Sequence, residues 1–155
     1  MPFGGSVTLG HTAPLILFSF KNGAKAGFVA GLIYGIFQLI ISFHIPPAKS
    51  FNIFILAVLL DYLIPYALIG LSPFYAKTIK NKKISLIVGT IFSHILRLLC
   101  SVASGVFIWG EYITQNINIW FYSLLYNSCY MIPETIITVF ICYTFINFLL
   151  PSKSL

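Results

Sequence analysis

KNGAKAGFVAGLIYGIFQLIISF (21–43) opens on two lysines, Lys21 and Lys25, and then runs from Ala26 to Phe43 without a charged side chain. A helix needs about 20 apolar residues to cross the hydrocarbon core of a bilayer, so this stretch reads as a membrane span with its cations at the entrance. Gly27, Gly31 and Gly35 recur at every fourth position, one step after Gly23, and line one face of that helix. A glycine face lets another backbone approach closely. The occupant is either a helix of the same chain or a partner subunit, which makes Gly27, Gly31 and Gly35 candidates for partner docking.

The rest of the chain repeats the pattern. Of 155 residues, 59% are hydrophobic and 8% charged, and the mean hydropathy is +0.96. A water-soluble fold could not bury that much apolar surface. Segmentation by apolar run and breaker gives spans at about 6–20, 26–43, 51–76, 84–109 and 118–150, leaving no room for an extramembrane domain. The fold class is therefore an all-α integral membrane protein, a single domain over 1–155 with about five spans. The first span is short and holds Gly10 and Pro14, so it reads as a stub; the last is long and carries Pro133.

Orientation follows from the lysines. Lys21 and Lys25, then Lys77, Lys80, Lys82 and Lys83, then Lys153 mark alternate ends of the spans, and these ends are expected in the cytoplasm, the C-terminus included. The segment 110–117 carries no lysine or arginine, and Trp109 and Trp120 flank it as interfacial anchors do. Strict alternation would put residues 1–5 outside; a helix preceding Met1 is the expected repair.

Several function classes are disfavoured. The net charge of +6 comes from lysines in short loops, which speaks for membrane orientation and not for nucleic acid. Cys100, Cys129 and Cys142 form no disulfide or zinc pattern and read as small core residues. His11, His44 and His94 are not at metal-ligand spacing, so no metal is expected. No nucleophile and base share a span, and no phosphate-binding loop is present, so neither an enzyme nor a self-contained ATP-driven pump is indicated.

The polar residues left in the spans are the candidates for function. Asp61 lies deep in span 51–76, where an unpaired carboxylate costs several kcal/mol. Its counter-ion is either Arg97, at similar depth in span 84–109, or a cationic ligand; Tyr62 and Tyr66 offer hydroxyls to hold it. Asn127, Tyr130 and Glu134, at i, i+3 and i+7, share one face of the last helix. With Tyr122, Tyr126 and Trp109 they form either an interfacial aromatic belt or an aromatic box with an amide, suited to a flat heteroaromatic cation.

GGSVTLGHTAPLILFSFKNGAKAG (4–27), LLDYLIPYALIGL (59–71), LRLLCSVASGVFIWGEY (96–112) and YSLLYNSCYMIPETIIT (122–138) together resemble the thiamine-specific substrate-binding component of energy-coupling-factor (ECF) vitamin transporters. The resemblance implies a six-helix membrane protein, here lacking its first helix, that binds thiamine and is energised by a module of one transmembrane coupling protein and two ATPases. ATP is then used only by partners, and no cofactor is implied. By position, Asp61 stands where the family has an acidic residue facing the thiazolium, followed by Tyr62; Trp109 and Tyr122 match the aromatic residues that sandwich the vitamin, and Asn127 matches the amide that bonds the aminopyrimidine. Ser101 occupies the place of a ligand-contacting histidine, and with Glu134 and Tyr126 it completes the candidate site. A thiamine precursor (hydroxymethyl pyrimidine or thiazole), or a truncated docking subunit that no longer binds, are the alternative readings.

Overall fold

The computed structural model describes residues 10–46, 50–110 and 118–149, with side chains to residue 146. All regular elements among them are helical: α1 (Ala13–Asn22), α2 (Ala24–Ser42), α3 (Phe51–Gly70), α4 (Ser72–Tyr75), α5 (Lys82–Phe107) and α6 (Ile119–Leu149). Four of them, α2, α3, α5 and α6, are long and apolar enough to cross a membrane. Among the described residues the bundle is an integral membrane fold of four full spans and a stub, the stub being the short first span of the five expected: α1, with its 10 residues, rises only about 15 Å, half the hydrocarbon thickness. The third span also stops earlier than expected, because the chain leaves the helix after Gly70 and makes the separate turn α4.

Local chemistry sets the ends. Gly23, at φ +89°, turns the chain between α1 and α2 in a conformation that side chains resist. Asn81 caps α5, its Oδ1 accepting from the backbone N–H groups of Lys83 and Ile84 at 3.0 and 3.2 Å. Asn118 caps α6 in the same way through Trp120 and Phe121.

The glycine face of α2 is taken by α3. A side chain at Gly27 would meet the carbonyl of Gly70, one at Gly31 the carbonyl of Tyr66, and one at Gly35 the carbonyl of Tyr62 at 2.7 Å. Of the two occupants considered for the face of Gly27, Gly31 and Gly35, the structure shows a helix of the same chain: all three are buried against its backbone. The opposite face of α2, with Val29, Ile33, Phe37 and Ile40, is exposed, as expected of a surface wetted by lipid.

α1 fills the middle of the bundle on the side where the lysines lie. Leu15, Ile16 and Leu17 pack against Tyr66 and Ile69 of α3, Leu86 of α5, and Cys142 and Ile146 of α6. The cysteines differ in setting: Cys142 is core, but Cys129 is exposed on the outer surface of α6, which corrects its reading as a core residue.

Candidate functional site

Asp61 sits in a distorted turn. Between Val58 and Leu63 the helix widens to π geometry, and the Ile64 N–H reaches back five residues to the Leu59 carbonyl. Pro65 accounts for the distortion, since its ring has no N–H and would collide with the carbonyl of Asp61 in a regular α-helix. The wide turn removes that collision and re-aims the side chains it carries.

Asp61 faces the end of α5. The Trp109 indole N–H donates to Asp61 Oδ2 at 3.3 Å, and the Ser104 side chain lies beside the carboxylate without hydrogen-bond geometry. Among the described residues no lysine, arginine or histidine forms an ion pair with Asp61. Of the two counter-ions considered for Asp61, Arg97 is not paired with it: Arg97 Nη1 donates to Glu134 Oε1 at 2.8 Å instead. Neither tyrosine serves Asp61. The Tyr62 hydroxyl donates to the Ser42 carbonyl at 2.8 Å and accepts from the His44 N–H, tying down the end of α2. The Tyr66 hydroxyl meets His11 Nε2 at 3.2 Å.

The facing wall comes from α6. Its rings climb the helix: Tyr122 and Tyr126 are stacked at 6.2 Å between centroids, and Tyr126 meets Tyr130 edge-on at 6.0 Å. Asn127 is buried beneath them, its amide donating to the Ser123 carbonyl at 2.8 Å while its oxygen accepts from the Tyr130 hydroxyl. Ser101 lies beside the Tyr130 hydroxyl. α5 and α6 can approach this closely because Gly105 has no side chain where the Ser123 hydroxyl sits. The structure thus brings Asp61, Trp109 and Ser104 together at the seam of α3 and α5, and Ser101, Asn127 and Tyr130 together at the seam of α5 and α6.

Glu134 lies below this wall with no solvent exposure. Its Oε1 accepts from Arg97 and from His11 Nδ1, the latter at 2.9 Å, and the Arg97 guanidinium lies 5.3 Å from the centre of the Tyr66 ring. Next to it His94 donates through Nδ1 to the Thr90 carbonyl at 2.9 Å, leaving Nε2 to accept from Thr12, which in turn accepts from Thr138. This layer, which sequence reasoning missed, joins α1, α3, α5 and α6 at the depth where α1 begins. One signal pointed to it: Arg97 and Glu134 are both intramembrane charges and each needed a partner.

Comparison with known proteins bears on the whole chain. The profile of the family described as thiamine transporter protein matches residues 1–153. The thiamine transporter ThiT of Bacillus subtilis is 34% identical over 160 residues, covering 95% of this chain and 78% of its own. The thiamine transporter ThiT of Lacticaseibacillus paracasei is 24% identical over 139 residues, covering 81% of this chain and 66% of its own. A match along nearly the full chain, with a relative above 30% identity, places this multi-pass membrane protein in the thiamine transporter protein family.

Proposed function

We propose that the chain is the thiamine-binding subunit of an ECF-type vitamin uptake transporter in the cell membrane, with its C-terminus cytoplasmic, no catalytic activity of its own and no cofactor. Transport energy comes from a partner module of a transmembrane coupling protein and two ATPases. The observation that carries the proposal is Asp61, a carboxylate inside a membrane span with an indole N–H on one oxygen and no cation paired with it among the described residues. A fixed cation complements that carboxylate, and thiamine carries one in its thiazolium ring. Family membership and the two relatives named as thiamine transporters support the same ligand.

In this reading Asp61 faces the thiazolium, Trp109 and Tyr122 offer ring faces to it, and Asn127 exchanges part of its internal hydrogen bonding for the aminopyrimidine. Tyr126 supports the Tyr122 ring from behind, and Tyr62 holds the α2 end against α3. Glu134 acts from below as the counter-ion that keeps Arg97 in place. Ser101, short and next to Tyr130, leaves room that a water molecule fills beside the ligand.

Calorimetric titration with thiamine, its phosphates, and its separate pyrimidine and thiazole halves tests this, using the wild type and Ser101→His. Thiamine should bind tightest to both proteins. Preference of the wild type for one half, lost in Ser101→His, would make the precursor the substrate; no response to any of them would make the chain a docking subunit.

A further inference from the structure

On the outer side of the α5–α6 pair, away from the candidate site, runs an open groove of about 560 Å³. His94 and Met131 line its inner end, Thr135 and Ile136 its middle, and Phe140 and Tyr143 its outer end. His94 and Thr135 keep their polar atoms turned away from it, and the third polar member, Tyr143, lies at its mouth. Both ring nitrogens of His94 are engaged, with Thr90 and Thr12, and the Thr135 hydroxyl donates to the Met131 carbonyl at 2.7 Å. The groove therefore offers hydrocarbon and asks for hydrocarbon.

Its outer end is different in charge. Lys83 lies with its ammonium 5.1 Å from the centre of the Tyr143 ring, and Lys80 and Lys82 are exposed beside the start of α5. From Met131 to Tyr143 the helix rises about 18 Å, close to one leaflet's half of the ~30 Å hydrocarbon core. We infer that this groove is a binding site for an anionic phospholipid of the lysine-side leaflet, with one acyl chain along α6 and the phosphate among Lys80, Lys82 and Lys83. Charge complementarity selects the headgroup, since lysines at the surface of an anionic leaflet are attracted to its headgroups. Length and polarity select the chain.

Native mass spectrometry of the purified protein with added lipid tests this. Phosphatidylglycerol should be retained at least fivefold over phosphatidylcholine of the same acyl chains. Lys83→Gln, at the groove mouth, and Val139→Trp, which fills the groove, should each cut phosphatidylglycerol retention threefold or more; if Val139→Trp does not melt cooperatively, Lys83→Gln decides. Equal retention of the two lipids, an unaffected Lys83→Gln, or competition by glycerol 3-phosphate, which lacks acyl chains, would overturn the inference. A photoreactive residue at Ile136 in cell membranes should form lipid adducts; a protein adduct would mean that the groove seats a partner's helix instead.

Discussion

Replacing Asp61 by asparagine separates a ligand's counter-ion from a structural charge. Were Asp61 part of an internal ion pair, its loss would strand a buried cation, but the structure gives Arg97 to Glu134, and among the described residues Asp61 has the neutral Trp109 indole as its hydrogen-bond donor and no ion-pair partner. Asp61→Asn should therefore leave the melting temperature unchanged or raise it, because the cost of an unpaired carboxylate in the span disappears. Its effect belongs in binding. A thiazolium about 5 Å from the carboxylate is attracted by about 3 kcal/mol at an effective dielectric near 20. Asparagine keeps an acceptor oxygen and recovers part of this, so thiamine should bind between tenfold and about a hundredfold more weakly, a loss of about 1.4 to 3 kcal/mol. Glu134→Gln is the control of opposite sign. It leaves Arg97 and His11, now at 2.8 and 2.9 Å from a carboxylate oxygen, facing a neutral amide, and breaking a buried pair costs about 3–5 kcal/mol of stability. Thermal unfolding in detergent with and without thiamine, alongside calorimetric titration, measures both. The reasoning fails if Asp61→Asn binds thiamine like the wild type, or if it melts as early as Glu134→Gln.

Trp109→Ala and Tyr122→Ala should each weaken thiamine binding by about 0.5–2 kcal/mol, the range for a ring face on a cation, and tryptophan emission should quench as thiamine saturates; unchanged emission from folded protein would remove Trp109 from the site. At Gly31 a Cβ would lie 2.9 Å from the Ala67 Cα, so Gly31→Val should cost about 1–3 kcal/mol of stability by overpacking. A variant that melts normally but no longer assembles with partner subunits would instead restore the docking reading of that face. Single cysteines at Lys80 and at Gln115, the latter outside the described residues, should label from opposite sides of the membrane in a cysteine-free background, and labelling of Gln115 from the cytoplasmic side would reverse the topology.

The membrane fold was legible because hydropathy and lysine placement are one-dimensional signals: the lengths of α2, α5 and α6 follow almost directly from the spacing of breakers. The glycine repeat was legible as a contact but not as to its partner, since spacing says that a backbone comes close and not which one. The pairing of charges could not be decided for a geometric reason. Depth alone matches Arg97 with Asp61, but pairing also depends on where around its axis each helix points a side chain, and the π turn at Val58–Leu63 re-aims Asp61 in a way no α-helical wheel anticipates. The layer of His11, Thr12, His94 and Thr138 was hidden because its hydrogen bonds join residues 82 and 126 positions apart, where periodicity carries no information.

The contact between α2 and α3 has a mechanical consequence. Where two helices meet through side chains, rotamer changes can absorb a slide or a tilt; where carbonyls rest directly on glycine Cα atoms, as along Gly27, Gly31 and Gly35, there is nothing soft to deform. α2 and α3 therefore move as one stiff plank, with the Tyr62 hydroxyl riveting its far end through Ser42. Opening the candidate site for a vitamin-sized molecule then falls to the seam between that plank and α5, where the Trp109 indole hydrogen bond to Asp61 is a latch beside the site.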